Sequence, residues 1–472
     1  MATPRADAEA IAIVGMGCRF AGVSGPAALW DQAMACRADF SDHPDPAALR
    51  VVDPSSSRFD CLPTRRGAYL KGLYAVDPDL PVLAEGDIGS DDPDALFLAQ
   101  LTTEALRDAG FTVRNAPAGR VSLAVGYAPP FTPASTAWLM QTFVADQISA
   151  LLHRFFPDAS ENDRLALLKH LRQALPPVGE PVFRQAFPHA LAAQTASRFG
   201  FSGTAVVVNA GSVSALAAIR AATDDLLAHR SDLALAAALQ GPISLAALFG
   251  IAAIYPLTPV GTPEPFSRDA AGTLPGEGGG VLVLRRRADA ERNGERIYAL
   301  IKSVSIASGV KSPATEGDAA TIIERAIREA SREADASPET CAYVETNGSG
   351  IATEDAAELE ALSSIFGGRK GFRRTLALGT AKASIGHTLA ASGLAGVCKS
   401  AWALARRVIP PTIAVERPHP RLTQPDAPFY LASEPRPWIH SRNLSPRRAG
   451  VSAWDSERLA AHCLLEEHPE AP

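Results

Sequence analysis

The chain has 472 residues, 47% of them hydrophobic, and its 45 basic and 51 acidic side chains leave a net charge of −6. That balance suits a globular protein and excludes a chain that is disordered or collagen-like in bulk. The mild acidity also argues against a nucleic-acid partner, which needs a basic face.

Length allows two to three domain-sized units or one large duplicated architecture. Six cysteines (Cys18, Cys36, Cys61, Cys341, Cys398 and Cys463) lie far apart with no Cys-x-x-Cys pair. Reduced thiols are expected, with no metal site. No stretch approaches the roughly 20 apolar residues a membrane span needs, and Ala10–Gly15 is too short and too late for a signal peptide. A cytoplasmic protein is expected.

In chain order, Ala10–Val14 reads as a buried strand stopped by Gly15 and Gly17. A dinucleotide reading of Gly15-Met-Gly17 fails because the third glycine would fall on Phe20. Residues 40–66 are rich in Asp, Pro and Ser and read as loop. Leu98–Gly110 predicts an amphipathic helix, and Arg120–Gly126 a strand. Residues 128–190 read as an inserted helical element, with Leu139, Phe143, Leu151, Leu152 and Phe155 at helical spacing. Ser160 and Asp163 there offer a capping box for a helix that Pro176 ends. A packed surface subdomain and a partner-binding surface are both open for it.

Thr204–Asn209 predicts a strand, followed after Gly211 by a helix to about His229 so dense in alanine that another backbone can approach closely. Gly280–Leu284 predicts a strand, and the charged run Asp289–Arg296 a linker. The second half alternates again: strands at Ile297–Val304, Ala342–Thr346 and Thr375–Leu378, and helices at Ala319–Ala334, Ala356–Ile365 and Thr388–Arg407. Such alternation implies an α/β protein with largely parallel strands. The strand–glycine–helix rhythm in both halves suits a duplicated fold.

Four stretches in order resemble the β-ketoacyl synthase family. Ile11-Ala-Ile-Val-Gly-Met-Gly-Cys-Arg-Phe20 looks like the opening of type I polyketide ketosynthases. Pro265–Val281 looks like the glycine-rich turn and central strand. Lys382-Ala-Ser-Ile-Gly-His-Thr-Leu-Ala-Ala-Ser-Gly-Leu-Ala-Gly396 is the strongest match, and Phe429–Leu431, Arg436–Trp438 and Pro446–Ser452 follow. The long insertion and the Phe429 block look most like the iterative branch that includes polyunsaturated fatty acid synthases. The resemblance implies an α/β, duplicated thiolase-like fold in five layers, α-β-α-β-α. It implies an N-terminal half at 9–290 with the insertion, and a C-terminal half at 296–467.

By that resemblance the acylated cysteine falls at Gly211, where no side chain can take an acyl group. The first of two catalytic histidines falls at Asn347, which can donate a hydrogen bond but cannot act as an acid or base near neutral pH. The two pantetheine-binding hydroxyls fall at Ser349, which keeps one, and Ile351, which does not. The family's C-terminal glycine loop aligns with Asp455–Ala460, beside Trp454 as a further substrate-binding candidate. His387 and Lys382 remain, with Asp355 and Glu358 as neighbours. His387 reads equally as a hydrogen-bonded remnant of the fold, and Lys382 as an ion pair to Glu358 or Asp355. Ser212 should point away from the site, about 100° round the helix, and Cys398 reads as core.

The resemblance therefore implies a catalytically degenerate homologue, pairing with an active ketosynthase as a chain-length factor does. An enzyme with altered acyl-thioester chemistry and a carrier-protein-docking scaffold stand as alternatives. Expected partners are an acyl carrier protein, whose phosphopantetheine arm is the ligand, and an active ketosynthase or a second copy of the chain. No bound cofactor or metal is expected.

Overall fold

The structure is a computed structural model and describes residues 10–56, 58–72, 93–111, 117–129, 132–175, 178–179, 187–259, 261–309, 319–367, 374–413, 415–439, 446–455 and 458–469. The first half supplies strands β1 (Ile11–Phe20), β2 (Val121–Gly126), β3 (Ala205–Val208), β4 (Leu233–Gln240) and β5 (Gly278–Arg286). They hydrogen-bond in the order β3-β2-β4-β5-β1. The second half supplies β6 (Ala299–Ser308), β7 (Cys341–Glu345), β8 (Leu376–Gly379), β9 (Phe429–Leu431), β10 (Arg448–Trp454) and β11 (Leu459–Glu466). Their order is β8-β7-β10-β11-β6, with β9 added outside β8.

Numbered within each half and leaving β9 aside, both sheets follow third-second-fourth-fifth-first. In both, the second strand runs parallel to its two neighbours, and the last three pair antiparallel. This matching topology is the duplication that the rhythm of the sequence suggests. The sheets are mixed, not largely parallel, because each half ends in a β-meander back to its first strand. The halves join where β1 pairs antiparallel with β6, from Ile11 opposite Ile301 to Ile13 opposite Ala299.

β1 does not stop at its glycines. Helix α1 (Pro93–Asp108) crosses it so closely that a Cβ on Gly15 would lie 2.6 Å from the Ala105 carbonyl oxygen, and one on Gly17 2.7 Å from that of Leu101. The glycines admit the helix, and the strand runs on through them to Phe20.

Helices α2 (Ser214–Leu227) and α5 (Ser392–Arg406) form the central layer. The largest core cluster joins Ala215, Leu216 and Ile219 of α2 with Leu394, Val397 and Cys398 of α5, and takes Ile13 and Leu284 from one sheet and Val451 and Leu465 from the other. The alanines of α2 allow this approach, and Cys398 is core, as expected. On the outer faces lie α1 with helix His189–Phe199 on one side, and α3 (Ala319–Glu333) with α4 (Ala352–Phe366) on the other. The result is the five-layer thiolase-like arrangement.

The charged run after β5 forms a helix, Arg287–Arg292, rather than a linker, held by Arg286–Asp289 at 2.6 Å and Arg287–Glu291 at 2.7 Å. The insertion forms helices at Pro133–Leu139, Ala145–Phe155 and Glu161–Ala174, and Ser160 caps the last by accepting the Asp163 N–H at 3.1 Å. Pro176 lies outside the described residues. Among the described residues the insertion's apolar side chains do not form a packed subdomain: Phe143, Leu151, Phe155 and Leu165 are exposed, and Ala145 alone is buried between Met140 and Ala174. All six cysteines are free thiols. Among the described residues no helix is long and apolar enough to cross a membrane.

Candidate functional site

Three loops converge on the site, one after β3, one after β7 and one leading into α5. After β3 the chain passes Asn209 and Ala210 and reaches Gly211 with φ +54°. There it makes one 3₁₀ turn, Gly211–Val213, and continues as α2. The Ser214 hydroxyl locks this entry, accepting the Ala210 N–H at 2.9 Å and donating to the Gly211 carbonyl at 2.7 Å. A left-handed φ costs glycine little and other residues more. Gly211 itself projects no side chain into the site.

The second loop follows β7. Its backbone rests on two carboxylates from α4: Asn347 and Gly348 donate their N–H groups to Glu358 at 2.8 and 2.9 Å. Asp355 accepts the Gly350 N–H at 3.3 Å and the Phe266 N–H at 2.7 Å, tying a third segment to the loop. Burial pushes the Asp355 carboxyl up to about 7 and raises that of Glu358 as well.

Lys382 closes the floor. Its Nζ donates to the Asn347 carbonyl at 2.9 Å and to Asn347 Oδ1 at 2.5 Å. No ion pair joins Lys382 to Glu358 or Asp355 among the described residues. Those carboxylates are already engaged by backbone N–H groups, and the ammonium takes the neutral amide instead. Burial drives the Lys382 pKa down, against the pull of Glu354 and Glu358. The Trp454 N–H also reaches Asn347 Oδ1, at 3.4 Å. Two donors facing one atom fix that atom as the oxygen. The Asn347 Nδ2 is therefore the other terminal atom, buried and without a hydrogen-bond partner among the described residues.

His387 follows Gly386, and its backbone is pinned by Leu274 at 2.7 Å and Gly276 at 3.0 Å. Its Nδ1 accepts the Leu389 N–H at 3.1 Å. Burial, and then the nearby Lys382 charge, hold its pKa well below the ordinary value, so the ring is neutral. A neutral ring accepting at Nδ1 carries its proton on Nε2. The Tyr255 ring packs 4.9 Å from that of His387, and its hydroxyl lies 3.1 Å from Ser212 Oγ. The Ser212 side chain is thus occupied by Tyr255, a residue with no recognisable motif in the sequence.

The structure brings together Gly211, Asn347, Lys382, His387 and the Trp454 backbone. The other two candidates are differently placed. The Ser349 hydroxyl accepts the Ile351 N–H at 3.2 Å and bonds the Glu354 carboxyl. The Ile351 side chain joins an apolar cluster with Leu257, Leu389 and Tyr255. Beside Asn347, Lys382 and Val451 the free space amounts to about 10 Å³, room for one water at most. Sequence reasoning also passed over the individual weight of Asp455: it is buried, and its Oδ2 faces Gly211. A carboxylate in place of a loop glycine was the signal.

Two family descriptions match the chain: the β-ketoacyl synthase N-terminal domain over residues 8–290 and the C-terminal domain over residues 298–416. Among curated proteins, a phenolphthiocerol/phthiocerol polyketide synthase of Mycobacterium tuberculosis is 29% identical over 470 residues, covering 98% of this chain and 24% of its own. Polyketide synthase GfsE of Streptomyces halstedii is 29% identical over 98% of this chain and 11% of its own. The chain thus spans about a quarter or less of these relatives. Among solved structures, the ketosynthase from module 6 of the bacillaene synthase of Bacillus subtilis 168 superposes with TM-score 0.79 at 25% identity, covering 98% of this chain and 73% of that one.

Proposed function

Since the chain belongs to the β-ketoacyl synthase family, we propose that it is a ketosynthase-type protein of polyketide biosynthesis that does not itself condense acyl groups. It serves instead as a chain-length-factor-like partner of an active ketosynthase. One observation carries this reading: at the head of α2, where the family resemblance puts the acyl-bearing cysteine, Gly211 offers no side chain. Asn347, at the first histidine's place, supports it. Its Oδ1 is held by Lys382, and its amide cannot take up or release a proton near neutrality. At the pantetheine-binding positions, Ser349 is already bonded and Ile351 lies in an apolar cluster, so the carrier arm finds few hydrogen-bonding groups there.

A partner needs a face. β3 is the outer strand of its sheet, with one edge unpaired among the described residues and Val206 exposed. An open edge is a template for another strand. We assign this edge, with the exposed apolar insertion, to the partner interface.

A second reading is favoured by the Asn347 Nδ2, unpartnered among the described residues, and the Nε2–H of His387. Two N–H donors could polarise a thioester carbonyl and support acyl-thioester chemistry without a nucleophile. Co-expression with an intact ketosynthase, followed by native mass measurement, tests the first reading. A 1:1 heterodimer is expected. A chain that forms only its own dimer in the presence of that ketosynthase, and converts a malonyl thioester to the acetyl thioester with release of carbon dioxide, would replace the first reading with the second.

A further inference from the structure

We propose that Asp455 bars acyl groups from this pocket, and that Gly211 and Asp455 form one matched exclusion device in which each residue requires the other. The inference deepens the non-condensing reading of the same site and does not depend on the partner interface.

Its basis is steric. A Cβ placed on Gly211 would stand less than 3.0 Å from Asp455 Oδ2, closer than real Cβ atoms approach anything. Among the described residues no other side chain crowds that position. The carboxylate therefore fills the space in which the side chain of any nucleophile at 211 would begin. It is also held there. The Asp455 N–H bonds the Leu459 carbonyl at 3.1 Å, its own carbonyl accepts the Arg458 N–H at 3.2 Å, and Oδ1 accepts the Leu459 N–H at 3.4 Å. The residue before it is pinned to Asn347 Oδ1 through the Trp454 N–H. With Oδ1 turned to Leu459, Oδ2 is the oxygen that faces the glycine.

A second effect is electrostatic. The Asp455 charge is felt within the site: burial chiefly raises the Glu354 pKa, and the Asp455 carboxylate adds to that rise. A carboxylate beside a thiol disfavours the thiolate, the form that attacks. Even a cysteine squeezed in at 211 would be held protonated, and each unit of pKa rise removes tenfold of its thiolate. Bulk and charge thus act in the same direction. The loop residue specifies what the pocket refuses, and glycine is the residue at 211 that tolerates it.

The test compares Gly211→Cys, Gly211→Cys/Asp455→Gly and Gly211→Cys/Asp455→Asn. Alkylation by iodoacetamide is followed at the peptide carrying residue 211, because the partly exposed Cys36 and Cys61 will also react. The Asp455→Gly double variant should react at least about tenfold faster than Gly211→Cys. The Asp455→Asn double variant, which keeps the bulk and drops the charge, should fall between them. Equal rates for Gly211→Cys and the Asp455→Gly double variant would overturn the proposal.

Thermal unfolding gives a second measure that needs no thiol. Gly211→Ala should lower the midpoint through both its left-handed φ and the contact with Asp455, and adding Asp455→Gly should recover the contact's share of that loss. Strictly additive midpoints would show two independent residues and sink the matched pair. Neither readout involves a ketosynthase, so failure of the partner reading would leave both results standing.

Discussion

Asp355 ties two loops of the site together with a carboxylate that burial holds at a pKa of about 7, against 3.8 for the ordinary group. Its folded-state pKa is raised, so the protonated form is the one folding favours. The stability it contributes is complete below about pH 4 and is lost as pH rises through 7. Asp355→Asn removes this titration and gives up one of the two N–H contacts, a loss that does not vary with pH. Measured by denaturant unfolding, the wild type should lose on the order of 4 kcal/mol relative to Asp355→Asn between pH 4 and pH 8. The depressed histidines, His387 and His462, act in the opposite sense in both proteins and cancel in the comparison. A difference independent of pH would mean that Asp355 titrates normally in the fold. At this scale the sequence named Gly211, Asn347, Lys382 and His387 through motif resemblance alone. It could not show that Lys382 bonds the Asn347 amide rather than a carboxylate, because that choice depends on which backbone N–H groups the loop turns toward α4.

At the scale of elements, close approach explains most of what sequence patterns misplaced. Gly15 and Gly17 look like strand breakers, yet they are the positions where α1 presses its own backbone onto β1. Gly17→Ala should therefore cost about 1–3 kcal/mol in overpacking, seen as a lower denaturation midpoint with unchanged slope. A neutral substitution would show that α1 can shift outward freely. The insertion is legible as helices from its apolar spacing, but spacing cannot say whether that face finds a partner within the chain. Exposure of Phe143, Leu151 and Phe155 answers that among the described residues it does not. The edge strand β3 belongs to the same surface question. Val206→Lys puts a charge on the open edge, and on the proposed assignment of this edge to the partner interface, light scattering at micromolar concentration should show the variant as a monomer where the wild type is dimeric. An intact dimer would move the interface elsewhere.

For the whole molecule, the alternation of strands and helices was enough to suggest duplication, and the shared strand order of the halves shows it. What alternation could not reveal was strand direction, since the return strands β5 and β11 pair antiparallel with their halves' first strands. The five layers place Gly211 at the head of one central helix and His387 just ahead of the other, with Lys382 and Asn347 between the loops that lead to them. Substituting the site leaves this frame intact, because the frame rests on the apolar cluster around α2 and α5 rather than on the polar groups at their ends. On the proposed reading, a protein so built keeps the shape and the layered core of a ketosynthase without its condensation chemistry. Single-turnover incubation of the wild-type chain with acyl- and malonyl-loaded carrier protein, read by intact-protein mass spectrometry, tests this most directly. The account predicts no acyl adduct on the chain and no extended product on the carrier protein; an acylated chain together with an extended carrier-bound product would contradict it.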